Sequence, residues 1–78
     1  MKTIDAVLAE AARAETLHAP MNSAHEAYAV ILEEVDELWD EVKKKQSQRN
    51  NAAMRSELIQ IAAMAVRAID NLGLDDAS

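Results

Sequence analysis

Residues 23–45, SAHEAYAVILEEVDELWDEVKKK, predict one long helix at the centre of the chain. Ser23 and Glu26 form a capping-box pattern, in which each side chain accepts a hydrogen bond from the other residue's backbone amide. We therefore expect helix two to run from Ala24 to about Lys45, with acids early and lysines last, as the helix dipole favours. Its apolar residues have the spacing of one face of a bundle helix; they are Ala27, Tyr28, Ile31, Val35, Leu38, Trp39 and Val42.

Two further helices are expected on either side of this one. Residues from Thr3 to His18 have apolar side chains at intervals of three and four, and Pro20 disfavours helical geometry in the residue before it. The polar segment 46–51 is where the chain is expected to reverse. Helix three should then run from Ala52 to Leu72, antiparallel to helix two, with Gly73 as a left-handed C-cap.

The composition supports an all-α fold. A single Gly and a single Pro leave little turn chemistry for β-hairpins, and the chain has no Phe, so its core must be built from aliphatic side chains and Met. We predict one domain over residues 1–78. Residues 1–22 form the first helix and its connection, residues 23–72 form a helical hairpin, and residues 73–78 form a tail that is expected to fray from Asp75 onward.

Self-association is expected because 78 residues bury only a small fraction of their surface when folded alone. Helix three is also apolar around much of its circumference, which calls for more than one packing partner. We therefore predict a homodimer or homotetramer, in which helices two and three of two chains complete a four-helix-bundle core.

Charge and cysteine content narrow the function classes. The net charge of -6 disfavours nucleic-acid binding, and the absence of Cys excludes disulfides and thiolate chemistry within this sequence. Charged residues interrupt the first twenty positions, so neither a signal-peptide core nor a membrane span is expected there. These features lead us to expect a cytoplasmic protein without membrane or nucleic-acid partners.

The acidic run Glu33-Glu34-Val35-Asp36-Glu37 has two interpretations. A charged run on a helix is commonly a solvated surface, because repulsion between exposed like charges costs only a few tenths of a kcal/mol per pair. However, Glu34 and Glu37 lie directly beside the apolar face of helix two. Carboxylates that are partly buried need protons or a cation, and Mg²⁺ is the usual ion for oxygen ligands.

Helix three carries an acidic residue that could face the acidic run of helix two. Glu57 directly precedes an apolar pair, with Gln60 three residues further on. In an antiparallel hairpin that reverses near residue 48, Glu37 and Glu57 are about equally far from the turn, so they can face each other. The spacing therefore predicts a shared Mg²⁺ site, with Mn²⁺ as an alternative ion.

These two segments, Glu33 to Glu37 and Glu57 to Gln60, resemble the motifs of the MazG-like all-α nucleotide pyrophosphohydrolases, EExxE followed by ExxD. The resemblance covers about residues 23 to 72. It implies that Glu34, Glu37 and Glu57 bind the metal and that Glu33 is an auxiliary ligand or base. Gln60 stands where the family has Asp. An amide oxygen can still be a metal ligand, but it contributes no charge and cannot act as a base.

The resemblance implies a Mg²⁺-dependent enzyme that hydrolyses a nucleoside triphosphate to a monophosphate and pyrophosphate, as a housekeeping activity on the nucleotide pool. Two alternatives stay open: a catalytically impaired MazG-like module that binds nucleotides or proteins, and a helical oligomerisation or adaptor domain without metal. Arg55 and Arg67 could contact phosphates. For the other candidate groups a structural explanation is favoured: exposure at helix ends for His18 and His25, dipole matching for Lys43, Lys44 and Lys45, and packing in the core or a subunit interface for Trp39.

Overall fold

The computed structural model describes residues 2–75, and within this range the chain is helical with no strand. Helix α1 spans Thr3–Leu17, α2 spans Ala24–Val42 and α3 spans Asn51–Asn71. A short 3₁₀ turn, Gln46–Gln48, lies between α2 and α3. The prediction of an all-α, three-helix chain is confirmed. The predicted frayed tail lies mostly in residues 76–78, outside the described range.

Local capping positions the ends of the helices. The Ser23 hydroxyl accepts from the Glu26 amide at 3.1 Å, as predicted, but the Glu26 carboxylate accepts from the amide of Asn22 at 3.2 Å and not from that of Ser23. The reciprocal hydrogen bond that was predicted for the Ser23 amide is therefore made by the amide of the preceding residue. At the other end of the hairpin, Gly73 has φ 68° and Leu74 donates to the Ile69 carbonyl at 2.9 Å, which confirms a left-handed C-cap of the Schellman type.

The N-cap of α2 offers a direct test of this local structure. Ser23→Ala is expected to lower the free energy of unfolding by about 1 kcal/mol, because the Glu26 amide loses its acceptor. Ser47→Ala, in the exposed 3₁₀ turn, is the matched control and should change stability far less. Urea denaturation followed by circular dichroism measures both, and equal effects of the two substitutions would contradict the capping role.

Helix α2 is shorter than expected, because it ends at Val42 and not near Lys45. Buried Glu41 explains the early end: its carboxylate accepts from the Lys44 ammonium at 2.7 Å and from the Asn50 backbone amide. Arg49 donates to the Val42 carbonyl at 2.9 Å. These bonds turn the chain over toward α3, so the three lysines follow the helix and do not form its last turn.

Helix α3 is central, because both α1 and α2 pack against it. The core is built mainly from small side chains and methionines; its buried cluster is Ala11, Ala14, Met21, Ala27, Ala63, Met64 and Ala68. No large side chain in residues 2–75 is fully buried. The fold therefore brings backbones close together but buries little apolar volume.

The predicted apolar face of α2 is only partly covered. Ala27 is buried and Ile31 is half-buried, whereas Tyr28 is 68% exposed and Trp39 is 57% exposed. Trp39, expected in the core or at a subunit interface, does not fill the core of the single chain, because α3 covers one edge of this face and leaves the other to solvent. None of the helices in residues 2–75 combines the length and apolar character needed to cross a membrane.

Candidate metal centre

Helices α2 and α3 bring three carboxylates together. Glu34, Glu37 and Glu57 each offer one oxygen, and these atoms lie within 4.8 Å of one another. Glu34 and Glu37 are three residues apart on one helix, so they share a face, and antiparallel packing places Glu57 opposite them. The predicted meeting of these residues, here called the carboxylate trio, is present in the fold.

Two oxygens of the trio lack partners. Glu34 Oε2 and Glu57 Oε2 are buried atoms with no hydrogen-bond partner among the described residues. A buried carboxylate oxygen without a donor is costly, and native structures rarely leave such atoms unsatisfied unless an ion, a water or a proton serves them. The trio therefore has the chemistry of a site that binds a cation or protons.

The electrostatics of the trio agree with its geometry. Burial, and after it the negative charges of Glu37, Glu57 and Glu33, together raise the pKa of Glu34 to about 7. Burial and the nearby Glu37 carboxylate also raise the pKa of Glu57. A divalent cation would remove both causes, because it compensates burial and like-charge repulsion at once.

The donor set fits Mg²⁺ or Mn²⁺ in kind. Both ions take oxygen ligands, and octahedral Mg²⁺ places neighbouring ligands about 3 Å apart and opposite ligands about 4.2 Å apart. The three oxygens of the trio lie within 4.8 Å of one another. Small side-chain rotations would bring them to these spacings, and Glu37 is exposed at the edge of the cluster.

A cavity of about 530 Å³ opens beside the trio, between α1 and the α2/α3 pair. Its walls include Glu33, Glu34, Glu37 and Gln60, so the structure brings together four of the five predicted site residues in one concave surface. Glu57 belongs to the trio but not to the cavity wall. A volume of this size is in the range of small-molecule sites.

The remaining wall of the cavity comes largely from α1 and the connection after it, which the motif analysis left out. Arg67 lines this part of the cavity together with four polar side chains from α1, the connection after it and the first turn of α2. These four are Glu10, Arg13, His18 and Glu26. Arg13 is held by Glu10 in a two-bond ion pair at 2.6 and 2.9 Å. No sequence signal indicated that α1 would close this side, since α1 lies outside the two motifs.

Arg67 is only 3% exposed and has a structural role that the sequence did not reveal. Its guanidinium pairs with the Glu15 carboxylate and donates to the Ala19 carbonyl at 3.2 Å. Asn71 joins the same group by donating to Glu15 and accepting from the Met21 amide. These bonds attach the end of α1 and its connection to α3.

The other candidate groups divide between the cavity and the surface. His18 lines the cavity, whereas His25 is exposed in the first turn of α2 and is absent from the wall. Lys43 pairs with Asp40 at 3.1 Å and Lys44 with Glu41 at 2.7 Å, so both contact carboxylates of α2. The expectation that the lysines form the last turn of this helix is wrong, because α2 ends at Val42.

The fold and its site define a small all-α protein with a carboxylate cluster beside an open cavity. Comparison with protein-family models, curated proteins and solved structures gives no match to the chain. The resemblance to the MazG-like family therefore stays a prediction that rests on the two short motifs.

Proposed function

We propose that the chain is a Mg²⁺-dependent nucleoside triphosphate pyrophosphohydrolase of the cytoplasm. The observation that carries this proposal is the meeting of three carboxylates beside a cavity, with two buried oxygens that lack hydrogen-bond partners. Hydrolysis of this kind needs little beyond positioned cations, a positioned water and a binding surface for the phosphates. The motif resemblance adds the nucleotide as substrate.

The proposal gives each site residue a role. Glu34, Glu37 and Glu57 would hold Mg²⁺, which supplies charge neutralisation for the phosphate oxygens and an acidified water. Glu33 reaches the cavity from the exposed side of α2 and would accept a proton from the attacking water. The water oxygen would bond to the α-phosphorus as pyrophosphate leaves, and the Gln60 side-chain oxygen would be a further, uncharged ligand of the metal.

The test is turnover of a panel of nucleoside triphosphates with Mg²⁺, measured as released pyrophosphate. Glu37→Gln is expected to lower turnover by at least about 100-fold, because the trio loses a charged ligand. Asp36→Asn is the matched control, since it removes an exposed carboxylate from the adjacent position of α2. The proposal would be rejected if no substrate turned over, or if the two variants lost equal activity.

The second candidate is a MazG-like module that binds a nucleotide or a protein without efficient catalysis. The specific observation in its favour is Gln60, an amide on the cavity wall at the position where the family motif has a carboxylate. Under this alternative, Gln60→Asp gains pyrophosphohydrolase activity over the wild type. Wild-type turnover equal to that of the variant would exclude it.

Oligomerisation belongs to the same proposal. The chain is proposed to be a homodimer or homotetramer, in which α2 and α3 of two copies complete a four-helix core. The exposed aromatic side chains of α2 and the small core of the single chain support this assembly.

A further inference from the structure

Four large apolar side chains form one exposed row along α2. Tyr28, Leu32, Val35 and Trp39 are all exposed, at spacings of four, three and four residues. This spacing keeps them on one side of the helix for about 16 Å. They are here called the α2 stripe. Monomeric proteins rarely leave a contiguous row of this kind in water.

The total solvent-exposed area of the chain indicates how much surface a partner would have to cover. A monomer of 8.6 kDa is expected to expose about 4,700 Å², whereas this chain exposes 5603 Å². The excess, roughly 900 Å², is close to the about 800 Å² that each partner buries in a standard protein interface. One further copy of this small chain would therefore cover the excess, and its own α2 stripe would be covered in the same contact.

The stripe and the candidate metal centre lie on different sides of α2. Counting about 100° per residue, the stripe is centred roughly 150° around the helix axis from Glu33 and Glu37. Those two residues line the cavity between α2 and α1, and none of the four stripe residues does. The trio is also complete within one chain.

We propose that the α2 stripe is the contact surface for a second copy of this chain, and that each copy keeps its own complete carboxylate trio on the opposite side of α2. Association through the stripe then stabilises the fold without building the site. The interface part of this inference is independent of the proposed enzymatic function, whereas the part about independent sites rests on metal binding by the trio.

The interface is tested by sedimentation velocity across a dilution series, with Trp39 as the only tryptophan and so a direct reporter. A dimer of the wild type buries the indole, and dilution shifts its emission to longer wavelength as the indole meets water. Leu32→Lys should weaken association by at least about 100-fold, because a symmetric interface receives the substitution twice. Leu17→Lys is the matched control: it makes the same change at a 60% exposed site at the end of α1 and should leave association unchanged.

Tyr28→Lys is the second variant, since it also keeps Trp39 as the reporter. Circular dichroism checks that each variant is folded. A wild type that stays monomeric at all concentrations overturns the proposal, as does a dimer that Leu32→Lys and Tyr28→Lys leave intact. An equal loss of association in Leu17→Lys assigns the contact to another surface and also overturns it.

Metal binding is measured on the same variants as the Mg²⁺-dependent rise in melting temperature. If the sites are independent, monomeric Leu32→Lys retains the Mg²⁺ shift of the wild type. Loss of the shift only in the monomeric variants overturns the independence of the sites. Absence of the shift in the wild type rejects both the proposed enzyme and the statement about its sites, while the sedimentation result still decides the interface.

Discussion

Arg67→Ala is expected to lower the free energy of unfolding by about 2–4 kcal/mol, a large part of the stability of so small a domain. The guanidinium is buried, and its loss leaves the Ala19 carbonyl without its donor and the Glu15 carboxylate without its cation. It also opens a space next to Met64 in the core. The end of α1 should then separate from α3 at lower temperature than the rest of the fold.

Arg13→Ala is the matched control for this prediction. Arg13 also makes an ion pair with a glutamate, Glu10, but this pair lies on the surface of α1 with its partner three residues away. Exposed pairs of this type contribute well under 1 kcal/mol. Urea denaturation of both variants compares the same change in a buried and an exposed position. A loss of stability in Arg67→Ala no greater than that in Arg13→Ala would contradict the anchoring role.

The second large effect is the dependence of the free energy of unfolding on pH and on divalent metal ions. Glu34 has a pKa of about 7 in the fold against 4.5 as its ordinary value, so the folded chain binds more protons than the unfolded chain between these values. In the absence of divalent ions, stability should therefore fall as pH rises from about 4.5 to about 7, by about 1–3 kcal/mol. Above pH 7 the loss is complete, and below pH 4.5 it is absent.

Other carboxylates act in a separate pH range. The hydrogen bond from Arg67 lowers the pKa of Glu15, and that from Lys44 lowers the pKa of Glu41, so these two groups lose their stabilising effect only as pH falls below the ordinary carboxyl value. The pKa of Asp70 is also raised, mainly by the charge of Asp75, so the slope between about pH 5 and 7 is assigned to the trio by substitution. Glu34→Gln should flatten the stability profile in this interval, whereas Asp36→Asn should leave its slope unchanged.

Binding of Mg²⁺ to the trio should reverse the loss of stability that occurs as pH rises. At one hundred times its dissociation constant, a ligand that binds only the folded state adds about 2.7 kcal/mol, and the effect should grow with pH because the metal competes with protons for Glu34. Melting temperatures with Mg²⁺, Mn²⁺ and EDTA at pH 5.5 and 7.5 measure this. Absence of any metal effect at either pH would favour the adaptor interpretation of the acidic run.

Much of the secondary structure and part of the site were accessible from the sequence, because both depend on short-range rules. Ser23 and Gly73 mark helix ends through bonds to residues a few positions away. The pairing of Glu37 with Glu57 required only a turn near residue 48 and an antiparallel hairpin. The misplaced end of α2 has the opposite origin, since it depends on Glu41 reaching the Asn50 amide across the reversal.

The sequence by itself determined three helices, the face of α2 that carries the acidic residues, and the opposing position of Glu57. Periodicity and capping act within a few residues, so no tertiary information was needed. Only the tertiary structure decided which oxygens are buried without partners, how α1 closes the cavity, and that Arg67 attaches α1 to α3. These features depend on contacts between residues far apart in the chain, such as Arg67 and Glu15, and local periodicity carries no information on which side of α3 the first helix will occupy.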